Sequence, residues 1–308
     1  MKKSAVFGCV LAFLAGSLSA DGLYGDKETF FRATSKGSPY HDYAQPFATT
    51  FGTMLNSGWT RSVSVPREFA WNVGLLVPWA LRMDDDRTFG ADGASYPTYM
   101  GVDRNKATGN AIAPELRGIA DPLFGMALLS FEGGVSWWHT ALDLRFFWLP
   151  EISAGGDGYS VAWFGFGFQH DVGHWIPVKL PVDFAVAWHG TWWGLDFAPN
   201  GRWRGERRMD GFANVTNLIT GIRLGLVEFF GELGWEYSTL DLSGTPRKLD
   251  AAGNAVESFE GSGHVVGRNG FRIALGVSFH TGVTNGLGFN MGAQPGGWLR
   301  LFNAPAAK

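Results

Sequence analysis

Phe69-Ala-Trp-Asn-Val-Gly-Leu-Leu-Val-Pro-Trp-Ala-Leu81 carries a large apolar residue at every odd position (Phe69, Trp71, Val73, Leu75, Val77, Trp79, Leu81) and mostly small or polar residues between them. Side chains alternate between the two faces of a β-strand, so this stretch predicts a strand with one continuous apolar face. Trp71 and Trp79 are eight residues apart. That is about 26 Å at roughly 3.3 Å per residue, or about 20 Å once a tilt near 40° is allowed. Aromatic rings at that separation suit the two interfaces of an outer membrane, and the segment points to a transmembrane β-barrel.

Other segments repeat the pattern. Trp138, Thr140, Leu142, Leu144, Phe146 and Trp148 oppose His139, Ala141, Asp143, Arg145 and Phe147. Val182, Phe184, Val186, Trp188 and Trp192 oppose Asp183, Ala185, Ala187, His189 and Thr191. Val227, Phe229, Leu233, Trp235 and Tyr237 oppose Glu228, Glu232 and Glu236. Phe271, Ile273, Leu275, Val277 and Phe279 oppose Arg272, Ala274, Gly276, Ser278 and His280. In each, the charges keep to one side. Less regular strands are expected over 123–132, 159–169, 212–223, 286–293 and 297–303. Tight turns are expected at Glu132-Gly133-Gly134, Leu224-Gly225 and 282–285, with long loops over 83–122, 194–211 and 242–263. Short turns on one rim and long loops on the other match outer-membrane barrels. The expected fold is therefore all-β, an antiparallel transmembrane β-barrel of about 10–12 strands with a short N-terminal helical segment.

Composition agrees with this class. The chain has 308 residues, with 14 Trp, 25 Phe and 44 Gly, more aromatic and glycine than a soluble α/β enzyme usually carries. Residues 1–20, with Lys2, Lys3 and an apolar run from Ala5 to Ala15, predict a secretory signal peptide cleaved after Ser19 or Ala20. Cleavage removes Cys9, the only cysteine, so disulfides and Cys-ligated zinc are not expected. The mature 288 residues (308 minus 20) hold 23 Lys+Arg (25 minus Lys2 and Lys3) against 28 Asp+Glu, a charge of minus five that offers nucleic acid no general attraction.

The three-part organisation expected is 1–20 signal peptide, 21–58 N-terminal helical segment and 59–308 barrel. Asp26–Thr34 and Pro46–Asn56 have helical character; in the second, Phe47, Phe51, Met54 and Leu55 recur at helical spacing, Pro46 suits the first turn and Asn56-Ser57-Gly58 a stop. The segment is either a helix lying in the barrel mouth as a plug, or an N-terminal strand or periplasmic arm.

Tyr43-Ala-Gln-Pro46 to Asn56-Ser-Gly-Trp59, Gly165-Phe-Gly-Phe-Gln-His-Asp171 leading to Pro181-Val-Asp-Phe184, Glu228 to Glu236 with Tyr237 and Gly244, and Gly286-Leu-Gly-Phe289 together resemble an uncharacterised family of exported bacterial proteins taken to form outer-membrane barrels. The resemblance implies the fold and no activity. The tail after Met291 departs from barrels that end on an aromatic residue, Phe302 being the nearest candidate.

The candidate site is the inferred lumen: His139, Asp143, Arg145, Asp183, His189, Glu228, Glu232, Glu236, Arg272 and His280. Inward charges either set pore selectivity or pair across a narrow barrel and pack it shut. Trp71, Trp79, Trp138, Trp148, Trp188, Trp192 and Trp235 are the candidate aromatic girdle. The Ser136/His139 and Ser278/His280 pairs are too commonplace to predict a hydrolase, so no enzyme is expected. No cofactor or metal is expected: His170 and His174 sit in a short turn bearing Gly173 and are read as solvent-facing, and Asp84-Asp85-Asp86 with Asp92 matches no calcium loop. The basic loop Arg202 to Arg208 suits contact with anionic lipopolysaccharide or a solvated loop equally. Expected partners are outer-membrane lipid and an unidentified small solute, for a monomer in the outer membrane. A closed structural barrel and a secreted carbohydrate-binding β-sandwich are the competing readings.

Overall fold

The computed structural model describes residues 44–76, 88–91, 94–97, 130–154, 157–177, 181–198, 203–204, 207–245, 247–258, 261–280 and 285–293. They form one helix, α1 (Gln45–Leu55), and the strands β1 (Ala70–Leu76), β2 (Thr88–Ala91), β3 (Ala94–Pro97), β4 (Ser130–Trp137), β5 (Thr140–Ala154), β6 (Asp157–Asp171), β7 (Asp183–Ala198), β8 (Trp203–Arg204), β9 (Arg207–Leu224), β10 (Val227–Gly244), β11 (Arg247–Leu249), β12 (Ala255–Ser258), β13 (Gly261–Val266), β14 (Gly270–His280) and β15 (Asn285–Ala293). The fold is all-β and every described strand pair is antiparallel. No helix among the described residues is long and apolar enough to cross a membrane.

Ten strands make one sheet in the order β1-β4-β5-β6-β7-β9-β10-β14-β15, with β13 also on β10. β10 is long enough to pair with β14 over Val227–Glu236 and with β13 over Thr239–Gly244, so the last two are one strand interrupted at 267–269. The sheet is not closed into a barrel: among the described residues, β1 and β15 each keep a free edge. It is nevertheless strongly curved. Five strand steps separate β5 from β14, about 24 Å in a flat sheet. Yet Arg145 of β5 and Arg272 of β14 both bond to carbonyls within residues 55–57. Two arginine side chains converge on one short segment only if the sheet wraps around it.

The strands outrun their apolar alternation. β9 and β10 each have 18 residues, and the regions 194–211 and 242–263, expected as long loops, hold the ends of β7, β9, β10 and β13 together with the small sheet β12-β11-β8. Main-chain bonding continues the ladder past the apolar outer face; there Leu195, Met209, Leu240 and Leu242 point inward and are buried while Asp196, Arg208, Asp241 and Ser243 are exposed, the reverse of the pattern that marked the expected strands. Pro150 in β5 lies where the β5–β6 register shifts between Leu149 and Ile152, as a residue without an N–H requires.

The β4–β5 hairpin also differs from expectation. Glu132, Gly133 and Gly134 do not turn; they run through the middle of β4 opposite Arg145, Leu144 and Asp143. The turn is Trp138-His139, both in the left-handed region at φ 50° and 63°. This two-residue geometry matches strand twist but favours Asn-Gly, and non-glycine residues there cost roughly 1–2 kcal/mol each. Trp138 and His139 donate their backbone N–H groups to the carbonyls of Arg67 and Pro66, which helps hold the turn.

Candidate functional site

The two faces of the sheet are inverted relative to a soluble protein. On β10, Glu228, Glu232 and Glu236 are 1%, 4% and 3% exposed, whereas Phe229, Leu233 and Trp235 are 47%, 44% and 57% exposed. β5 repeats this with buried Asp143 and Arg145 against exposed Leu142, Leu144, Phe146 and Trp148. On β14, buried Arg272 alternates with exposed Phe271, Ile273 and Leu275. Over these stretches the inner, concave face carries the charges and the outer face is apolar; towards the far ends of β7, β9 and β10 the polarity reverts, with Leu195, Met209, Leu240 and Leu242 buried inside and Asp196, Arg208 and Asp241 exposed.

Residues 44–67 run along this inner face. Pro lies in the first turn of α1, and Phe47 and Phe51 bury against Trp193 with ring centroids 6.1 and 4.4 Å apart. Gln45 donates to the Val266 carbonyl, Thr53 to Glu236 (2.7 Å), Ser62 and the Val63 N–H to Glu228 (2.8 and 2.7 Å). By strand register the segment descends from the level of β13 to the rim where β4 turns into β5.

At the end of α1 the last carbonyls have no helical partners. The helix has no basic residue in its own last turn; the sheet supplies two. Arg145 donates to the carbonyls of Leu55 (3.2 Å) and Ser57 (2.9 Å), and Arg272 donates to that of Asn56 (2.7 Å). Both guanidiniums are fully buried, and the negative end of the helix dipole favours them there. Arg145 also stands 3.9 Å from the centroid of Trp59, whose indole N–H donates to Leu55 and whose ring stacks on His189 at 4.6 Å. Gly165 and Gly167 of β6 open the slot for this stack: a Cβ on Gly165 would meet the Trp59 ring at 3.0 Å, and one on Gly167 would meet His189 at 2.1 Å.

Charges pair across the interior. Arg61 reaches Glu132 (3.2 Å) and Asp143 (3.4 Å), Arg145 reaches Glu132 (3.6 Å), and Arg272 reaches Glu232 (3.9 Å) and Glu236 (4.0 Å). Asn217 donates to Glu232 (3.0 Å), and Gln169 donates to the carbonyls of Ser62 and Val63.

Of the ten residues predicted to face a lumen, Asp143, Arg145, His189, Glu228, Glu232, Glu236 and Arg272 are buried on this face. Asp183 is half-buried at the start of β7. His139 is not on a strand face; it belongs to the β4–β5 turn, since the two preceding glycines continue the strand. His280 ends β14, and its side chain lies outside the described residues.

Among the predicted girdle, Trp71, Trp148, Trp192 and Trp235 are exposed on the outer face, Trp188 is half-buried, and Trp138 is in the turn for the same reason as His139. Trp79, the Asp84 loop and Arg202 lie outside the described residues. The register strings Trp71, Trp188 and Trp235 into one cross-strand row through Val135, Leu142, Phe168 and Thr216.

The predicted lumen set left out Glu132, Arg61, Trp59, Gln169 and Ser278, the last although it was read on the inner face of its strand. Glu132 carried a signal: Phe131, Val135 and Trp137 alternate with Glu132, Gly134 and Ser136, which extends the strand through the glycines. The others come from a coil and from polar positions whose partners lie far off in sequence.

No curated protein and no solved structure matches the chain. A family of unknown function (DUF6588) matches residues 1–287, and since that match runs over nearly the whole sequence, the chain belongs to this family.

Proposed function

We propose that the chain is an outer-membrane β-barrel and a passive channel for small solutes, stoppered along its interior by residues 44–65. The observation that carries this reading is the inverted sheet. An apolar outer face with a charged inner face suits lipid outside and an aqueous or polar-packed interior, and suits no water-facing sheet. In lipid the free edges of β1 and β15 must be joined, because nothing in hydrocarbon satisfies them. The exposed Trp residues then meet the interfaces, and the basic loop meets lipopolysaccharide.

Five inward carboxylates (Glu132, Asp143, Glu228, Glu232, Glu236) face three guanidiniums (Arg61, Arg145, Arg272). A conducting pore lined this way prefers cations. The test is heat-modifiable gel mobility of membrane fractions, followed by reversal potential in a salt gradient across a planar bilayer. Recovery only in a soluble fraction ends the membrane reading, and anion preference removes these carboxylates from the pore. The second reading, a closed structural barrel, is favoured by the number of inner charges already bonded to residues 53–63; a bilayer silent under all conditions would select it.

A further inference from the structure

We propose that His139, Asp171 and His174 form a binding site for a divalent transition-metal ion of the zinc class, joining the β4–β5 turn to the β6–β7 connection. A ring nitrogen of each histidine and a carboxylate oxygen of Asp171 lie within 4.8 Å of one another. The site needs only the two turns and holds whether or not the sheet spans a membrane.

The three residues are placed by backbone. His139 occupies the second position of the left-handed turn, and its carbonyl accepts from the Asp171 N–H at 2.9 Å. Val172, next in the chain, donates to the Phe184 carbonyl at 2.9 Å. His174 lies in the short 3-10 turn Gly173–Trp175. These bonds bring residues from two hairpins to one point of the rim without help from any metal.

The donor atoms are prepared in a manner that fits ligation. His174 Nδ1 bonds to the Asp171 carbonyl oxygen. A carbonyl only accepts, so Nδ1 donates here and Nε2 is the nitrogen that a metal can take from the neutral ring. A ligating histidine is held in this way by its other nitrogen. One Asp171 oxygen, Oδ1, accepts from the Gly173 N–H at 2.9 Å, which orients the carboxylate and leaves Oδ2 facing His139 Nδ1 at 3.8 Å. His139 Nδ1 is buried and has no hydrogen-bond partner among the described residues. Two imidazole nitrogens and one carboxylate oxygen are a donor set for zinc, copper or nickel rather than calcium or magnesium, and three protein ligands leave one position open.

Coordination requires movement that the surroundings allow. The His139 and His174 rings now lie parallel, with centroids 4.0 Å apart and 6° between planes. A metal sits in the plane of each imidazole that binds it, so the rings must turn out of parallel as the ion enters. His174 is exposed, so its ring can turn about the line of its Nδ1 bond to the Asp171 carbonyl, giving up its ring contacts with His139 and Trp175.

His170 is the built-in control. Its Nδ1 bonds to Thr140 Oγ1 at 2.9 Å and its Nε2 accepts from the Trp175 indole at 3.0 Å, so neither nitrogen is left for a metal. The pair His170 and His174, four apart in sequence, is therefore not the ligand pair.

The experiment uses the full untagged protein, folded in detergent, stripped with chelator and titrated with Zn²⁺ against a competing chelator, with the visible band of Co²⁺ reporting coordination number. The unaltered chain should take up one Zn²⁺. Asp171→Asn, His174→Ala and His139→Gly should each weaken uptake by more than the roughly 10–100-fold that loss of a supporting group costs, and His170→Ala should bind as the unaltered chain does. His139→Gly is chosen because glycine adopts the turn conformation freely, so its loss of binding is read on a folded protein. Absence of stoichiometric Zn²⁺ uptake, or uptake unchanged in the three ligand variants, overturns the proposal.

Discussion

Trp59 ties the N-terminal segment to the interior of the sheet. It bonds the helix end through its indole N–H, carries Arg145 over its ring and stacks on His189. Among the described residues His189 has no hydrogen-bond partner for either ring nitrogen, so the stack is its principal support. Trp59→Ala should remove about 3–5 kcal/mol of stability through the cavity and the lost packing, with the exposed face of the Arg145 guanidinium adding to the loss. Urea unfolding followed by heat-modifiable mobility measures it. A change near zero would show that the segment is held by its polar bonds alone. The same slot explains why glycine stands at 165 and 167, where the chain backbone of β6 must let two rings approach.

The strand is the scale at which the two faces separate. β5 places Leu144 outward and exposed and Ala141 inward, while its neighbours Asp143 and Arg145 are buried. With lipid against the outer face, Leu144→Arg should cost about 2–4 kcal/mol, because an arginine near mid-membrane must be desolvated or must thin the bilayer. Ala141→Arg, near the rim and facing polar groups, should cost much less. Equal costs in refolding titrations into lipid would mean that the outer face meets water. At this scale too, α1 explains its own position: Phe47 and Phe51 need an apolar wall and find Trp193, while the helix end needs cations and finds two from different strands.

For the whole molecule, the decisive question is whether residues 44–65 are a stopper or a structural strut. They bond to β5, β6, β10, β13 and β14, yet they supply no strand to the sheet. Deletion of residues 21–65 should therefore leave the strand ladder intact and yield a folded, heat-modifiable protein whose single-channel conductance exceeds that of the full chain. Failure to fold would make the segment a strut around which the sheet must assemble. A folded deletion variant with unchanged conductance would remove the segment from the pore.

The alternation of residue types was enough to assign most inner and outer positions, because side chains on a strand must alternate whatever the strand's neighbours are. Pro46 with Phe47, Phe51, Met54 and Leu55 was likewise enough to place a helix over 46–56, within a residue at each end of Gln45–Leu55. Register was not legible. A period of two is unchanged when a strand slips by two residues, so alternation alone cannot say that Glu132 stands opposite Arg145 or that the β4–β5 hairpin turns at Trp138-His139. Nor can it say which charges meet. Arg145 and Arg272 are 127 residues apart (272 minus 145) and converge on the end of α1 only because the sheet curves around it. Which face each side chain takes follows from the local chain, whereas the partners of the buried charges follow from curvature and register, which are properties of the assembled sheet.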